Sequence, residues 1–231
     1  GAGAQTLTIT SANTLNVDES LTATVITTAT GGRGGVITFA VISGSGSATV
    51  DVNTGLLTGV IAGTITLTAT SSGDTDYASA TTSQLITIGQ GSQTLTITSV
   101  DVLNVGASLT ATVITTATGG RGGLITFTVI SGSGSATVDT NTGLLTGISL
   151  GTITLTATST GDSDYTSATT SQLVTIGQGA QTLTITSANT LNVGESLTAT
   201  VTTTATSSSG GVFTYEILSG SGSATVDANT G

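Results

Sequence analysis

The hexapeptide Gln5-Thr6-Leu7-Thr8-Ile9-Thr10 returns at Gln93 and again at Gln181, a period of 88 residues. The first two copies, 5–92 and 93–180, differ at 16 of 88 positions, and the third runs for 51 residues to Gly231. Solenoid and propeller units are shorter, roughly 20–50 residues, whereas a β-sandwich takes about 100. Each copy therefore reads as a domain and the chain as an array, with boundaries at 1–90, 91–178 and 179–231. The joints fall at Gly89-Gln90-Gly91 and Gly177-Gln178-Gly179, short enough that neighbouring copies should abut. The third copy stops at the equivalent of Gly55 and Gly143. Half a sandwich leaves an apolar edge unpaired. Its remaining strands are expected from a longer array in cis, or from another chain of a fibre by β-augmentation.

Within a copy the hydrophobic pattern has period 2. Leu7 and Ile9 share one face of Thr6–Thr10 and the threonines share the other, and Leu21–Val25, Ile37–Val41 and Thr64–Thr70 repeat the alternation. Such alternation marks strands with one buried and one wet face, and Thr, Val and Ile suit a pleat because their branched Cβ packs well on it. Gly31-Gly32-Arg33-Gly34-Gly35, Ser43–Gly46, Asn53-Thr54-Gly55 and Ser71–Asp74 supply the turns between strands. About seven short strands per copy are expected, in an all-β fold of tandem immunoglobulin-like antiparallel sandwiches. Gly73-Asp74-Thr75-Asp76-Tyr77 precedes the last strand and recurs at Gly161–Tyr165. A lone tyrosine there matches a tyrosine corner, its hydroxyl bonding backbone across the connection, so Tyr77 and Tyr165 are read as structural.

Absent residue types exclude whole classes of chemistry. The chain has no Cys, His, Met, Trp, Pro or Lys, and 57 threonines make about a quarter of it. Without Cys or His there is no disulfide, no zinc or haem site, and no Ser–His–Asp or Cys–His nucleophile. A Lys–Asn crosslink lacks its lysine. Two arginines against twelve acids give a net charge of −10, which excludes electrostatic binding of nucleic acid or anionic lipid. No apolar run is long enough to span a membrane. A surface of hydroxyls, nearly free of protease-cleavable cations, suits an extracellular setting.

Taken in order, Gly46–Asp51, Asn53-Thr54-Gly55, Leu57-Thr58-Gly59, Gly63–Thr70 and Gly73–Tyr77 resemble the bacterial immunoglobulin-like (Big) repeats, and Gly134–Tyr165 shows the same string. The third copy carries only its first part, Gly222–Gly231. The resemblance implies a modular sandwich of secreted or surface-anchored prokaryotic proteins, such as adhesins and invasin-like stalks. In these proteins most repeats are spacers and none is catalytic. Neighbouring copies in cis, or other subunits of a filament, are the implied partners.

Three features invite a sharper reading. Asp74 and Asp76, with Asp162 and Asp164, form D-x-D loops that offer calcium candidates, although that ion takes six to eight oxygens and Asp also caps turns through its side chain. No other metal or cofactor is expected, and the scattered carboxylates do not pair for acid–base work. Rows such as Thr6, Thr8 and Thr10 suggest ice binding, opposed by the twist of sandwich sheets. Recognition of a glycan or host receptor would need an exposed aromatic cluster, and Phe39, Phe127 and Phe213 fall on inward positions. Asp18-Glu19 becomes Gly106-Ala107 and Gly194-Glu195, so no shared site is expected there. Arg33 and Arg121, replaced by Ser209, read as loop charges.

Overall fold

The computed structural model describes residues 1–99, 101–205 and 210–231. They form two compact units. One joins Gly1–Thr98 with Thr112–Phe127 and Thr156–Ser171, and the other joins Ser99–Ala111, Thr128–Leu155 and Gln172–Gly231. No α-helix occurs among the described residues.

The first unit contains the whole first copy. Its strands are β1 (Leu7–Ile9), β2 (Thr14–Asn16), β3 (Ser20–Thr22), β4 (Val25–Thr27), β5 (Ile37–Ser43), β6 (Ser47–Val50), β7 (Leu56–Ile61), β8 (Gly63–Ser71) and β9 (Ala80–Gly89). Nine strands replace the seven expected because the first quarter of the copy is broken into three-residue pieces. One sheet runs β2-β9-β8-β5, the facing one β3-β7-β6, and β1 pairs with β4. The ladders are antiparallel apart from β2–β9, where Thr14 to Asn16 run alongside Thr87 to Gly89 in parallel.

Alternation sets the core. Along β8, Ile65, Leu67 and Ala69 are at most 1% exposed, while the threonines between them are half-buried. Leu57, Phe39, Ile86 and Ile88 pack against that row. Each such aliphatic side chain, fully buried, stabilises by about 1.5–3 kcal/mol. The threonine ladders pair across strands: Thr68 meets Ser83 at 3.0 Å, Thr70 meets Thr81 at 3.2 Å, Ser20 meets Thr58 at 2.7 Å and Thr10 meets Thr24 at 2.9 Å. The hydroxyl rows thus satisfy one another while the branched carbons cover the sheet. One apolar row interrupts them, with Ile42 and Leu85, 66% and 62% exposed, flanking Thr66 in register.

Gln5 is only 8% exposed. Its Nε2 donates to the carbonyls of Gly34 and Ala78, both at 2.8 Å, and lies 3.1 Å from Ser71 Oγ. Its Oε1 accepts from the Thr27 hydroxyl at 2.9 Å. One amide therefore ties the chain before β1 to the glycine loop, to the end of β8 and to the segment before β9. Gln93 repeats every contact, with Gly122, Thr166, Ser159 and Thr115.

The second copy repeats the order in β10 (Leu95–Ile97), β11 (Val102–Asn104), β12 (Ser108–Thr110), β13 (Val113–Thr115), β14 (Ile125–Ser131), β15 (Ser135–Val138), β16 (Leu144–Ser149), β17 (Gly151–Ser159) and β18 (Ala168–Gly177). Its sheets run β11-β18-β17-β14 and β12-β16-β15. In the third copy β19 (Leu183–Ile185) pairs with β20 (Val201–Thr203). There Leu191 and Val193 are 48% and 107% exposed, against 7% and 2% for the equivalent Leu15 and Val17.

Replacing Gln5 by Leu keeps the volume but leaves the Ala78 carbonyl without its donor and the Thr27 hydroxyl without its acceptor, while the Gly34 carbonyl keeps only the Ser71 hydroxyl. Urea denaturation should show a loss of about 2–3 kcal/mol, while Thr8→Val on the exposed face of β1 stays within about 0.5 kcal/mol.

Candidate functional site

The glycine loop and the D-x-D-Tyr loop come together at one end of the first copy. Gly34 has φ +102° and Gly35 φ +86°. A side chain at Gly34 would collide with the Gln5 amide, so the loop keeps glycine where it crosses that amide. Asp74 Oδ2 accepts the Gly34 N–H at 2.6 Å, and its Oδ1 accepts the N–H groups of Asp76 and Tyr77, both at 2.8 Å. The Gly34 N–H first, then those of Tyr77 and Asp76, hold the Asp74 carboxyl below its usual range. Asp76 pairs with Arg33 at 3.1 Å, with the two side chains 50% and 60% exposed. The Tyr77 hydroxyl lies 3.2 Å from the Thr30 hydroxyl.

In the second copy the same residues are enclosed. Tyr165 is fully buried, Asp164 is 5% exposed, and Tyr165 belongs to the core cluster of the first copy. Arg121 Nη1 donates to the Val60 carbonyl and pairs with Asp164 Oδ2 at 3.1 Å. Asp164 Oδ1 accepts the Ala62 N–H at 2.8 Å. The Arg121 guanidinium carbon stands 5.7 Å from the Tyr165 ring centroid. Gln90 Nε2 donates to the Asp162 carbonyl at 2.6 Å, and Gly91 exchanges hydrogen bonds with Asp164 and Thr166 at 2.8 and 2.9 Å. A Cβ on Gly91 would sit 2.6 Å from the Val17 carbonyl oxygen, which explains a glycine at the joint.

Asp18 completes the lock. It is the one non-glycine residue with positive φ, +64°, among the described residues, and Gly106 and Gly194 hold φ +78° and +85° at its equivalent positions. A side chain in that conformation costs of order 1 kcal/mol against glycine. In return the Tyr165 hydroxyl donates to Asp18 Oδ2 at 2.5 Å, a charged hydrogen bond of about 1.5–3 kcal/mol.

One sequence expectation needs correction. Arg121 is not a loop charge: it bridges the carbonyl of one copy and the carboxylate of the next. Asp18 is a contact residue of this joint alone, since Gly106 and Gly194 have no side chain to repeat the contact. Ser209, the counterpart of Arg121, lies outside the described residues. Asp74 and Asp162 commit both oxygens to N–H donors, and Asp76 and Asp164 each face an arginine. A calcium ion in either loop would have to displace those donors. Among the described residues no three metal-ligating side chains gather. No helix is long and apolar enough to cross a membrane.

Two-sheet sandwiches of this build define immunoglobulin-like modules. The chain belongs to the bacterial Ig-like domain (group 2) family, whose model matches residues 4–82 and 92–170. No curated protein matches it. Similar solved structures include a SusE-like surface-located polysaccharide-binding protein from the Bacteroides thetaiotaomicron heparin utilisation locus, at 14% identity and TM-score 0.30, over 74% of this chain and 34% of that one. The fibronectin(III)-like modules of Clostridium thermocellum CbhA match at 15% identity and TM-score 0.30, over 74% and 93%. A C-terminal intimin fragment, solved with the intimin-binding domain of its translocated receptor, matches at 18% and 0.29, over 78% and 67%. The chain spans about a third of the length of the first of these.

Arg121→Met strands the Asp164 carboxylate in a nearly closed site and should cost about 3 kcal/mol in chemical denaturation. Arg33→Met breaks only an exposed pair and should cost less than about 1 kcal/mol.

A pH dependence follows from Asp74 and Asp162, the latter held low chiefly by the Gly122 N–H. A carboxyl depressed in the folded state stabilises fully above its unfolded pKa, and that stability is lost as pH falls through the folded value. Calorimetry should find the melting temperature level down to about pH 4.5, then falling steadily towards about pH 2. Asp74→Asn with Asp162→Asn should lessen that slope and leave the part carried by Asp51, Asp139 and Asp227, whose carboxyls the N–H groups of their own turns hold low.

Proposed function

We propose that the chain is an extracellular spacer of a prokaryotic surface, its repeats 1–90, 91–178 and 179–231 set end to end for reach. Bacterial Ig-like domains are in general non-catalytic binding or structural modules. The observation that carries the spacer reading is the lock built from Arg121, Asp164, Tyr165 and Asp18. A joint that buries a charge pair and a tyrosine resists bending, which a mere tether would not need. The chemistry favours reach over recognition: the fully buried aromatic is spent on the joint, and the hydroxyl rows satisfy one another rather than face a ligand. Within this reading the array is the stalk of an adhesin or the body of an extracellular filament. The exposed Ile42–Thr66–Leu85 row favours the filament, since an aliphatic stripe on an otherwise hydroxyl face suits lateral packing.

Small-angle scattering tests the spacer directly. The ten residues of β9 extend over roughly 33 Å at 3.3 Å each, so each further copy of residues 5–92 should lengthen the particle by a near-constant increment of about 40 Å. Increments that shrink with copy number would defeat the rod. Saturable binding to a glycan array, or thermal hysteresis, would replace it with a recognition module.

A further inference from the structure

We propose that the exposed end of the first copy, built from Thr30, Arg33, Asp76 and Tyr77, is a docking surface for the acid-bearing end of another immunoglobulin-like repeat. The partner is defined by its chemistry. It presents a carboxylate on a positive-φ residue at the position of Asp18, together with a strand-to-strand hairpin whose carbonyl and N–H stand where Val60 and Ala62 do. This deepens the spacer reading and rests on it.

The surface is residue for residue the one that is engaged in the second copy. Thr30, the loop 31–35, Asp74, Asp76 and Tyr77 are identical to Thr118, 119–123, Asp162, Asp164 and Tyr165. It is also already arranged: the Arg33–Asp76 pair closes to 3.1 Å, as Arg121–Asp164 does, and Tyr77 sits on Thr30 as Tyr165 sits on Thr118. What differs is cover. Arg33 and Asp76 are 60% and 50% exposed, against 24% and 7% for their counterparts.

The opposite end of the repeats shows which partner fits. Positions 18, 19, 60, 61, 62 and 92 carry Asp, Glu, Val, Ile, Ala and Ser in the first copy, and Gly, Ala, Ile, Ser, Leu and Ala in the second. Those six are among the 16 differences between copies, while the Arg33, Asp76 and Tyr77 positions do not change. At the next joint the sequence drops both halves together, Gly106 for the acid and Ser209 for the arginine. Acid and arginine belong to one recognition pair. An end of the first-copy kind completes the exposed surface, and an end of the second-copy kind does not.

The test extends the whole chain at its N-terminus. One protein carries an additional copy of residues 5–92 directly before Gln5, which reproduces the joint that precedes Gln93. The other carries residues 93–180 in the same place. With tyrosine rings selectively labelled and assigned through Tyr→Phe variants, a soluble paramagnetic agent reports the exposure of each ring by nuclear magnetic resonance. With the first-copy extension, Tyr77 should lose its broadening and fall to the level of Tyr165. With the second-copy extension it should stay as broadened as in the unextended chain. Broadening of Tyr77 retained in both, or lost equally in both, overturns the proposal. Tyr165 separates the two readings in the same spectra: if its ring is itself broadened, the locked joint and the spacer reading fail, whereas a protected Tyr165 beside an exposed Tyr77 sinks the docking surface alone.

Discussion

The architecture turns on a buried amide. Gln5 sits where a strand-leading residue would ordinarily face water, and its side chain instead satisfies two loop carbonyls and takes a hydroxyl proton. Because an amide offers two donors at a fixed angle, it sets the distance between the glycine loop and the segment before β9. Asp74 then takes the N–H of the same Gly34 whose carbonyl Gln5 holds. Gly34 is pinned on both faces of its peptide units, and the neighbouring arginine is presented in one place. Gln93, Gly122 and Asp162 repeat the arrangement and aim Arg121 at the Val60 carbonyl. Without a rigid loop, the entropy of ordering a long arginine side chain would offset much of what its contacts supply.

Hydroxyls take the place of surface charge. A sheet face of lysine and glutamate solvates well but offers its neighbours flexible chains, whereas threonine gives each strand a branched carbon to pack and an oxygen to share. Thr68 with Ser83 and Thr70 with Thr81 form such pairs on the central strands, where the side chains are only half exposed. The core beneath is small and aliphatic, with one phenylalanine in each of the first two copies, and no disulfide reinforces it. A copy of this kind gains additional apolar burial from its neighbour: Tyr165 enters the cluster formed by Leu15, Val17 and Ile88 of the preceding copy.

The sheets were legible because alternation over five to seven residues allows only one assignment of faces, and β5, β8 and β9 follow it. Tyr77 and Tyr165 drew attention as rare residues in a repeated loop. Gln5 did not, since a polar residue ahead of Thr-Leu-Thr reads as the wet start of a strand, and its partners lie 29 and 73 residues away. Arg121 was obscured by its replacement at Ser209, which looks like drift until the change from Asp18 to Gly106 is set beside it. Glycine at 106 and 194 did carry a signal. It marks a position that wants positive φ, and an aspartate accepted at 18 despite that preference has a reason to be there.

That strain explains how near-identical neighbours can still be told apart. Domains of similar sequence risk exchanging strands as they fold, and their cores, being alike, offer little to discriminate one pairing from another. Variation at the ends bears on this conflict. Most residues that build the sandwich are common to the first two copies, with core changes as small as Ile86 to Val174, while the acid at 18 and the hairpin at 60–62 change in character. Specificity then rests on a difference of affinities. A cavity shaped for an arginine–carboxylate pair leaves buried charge unpaired when either half is missing, and that penalty exceeds anything an exposed ion pair contributes. Under the docking proposed above, order along the array would rest on these few residues at the joints.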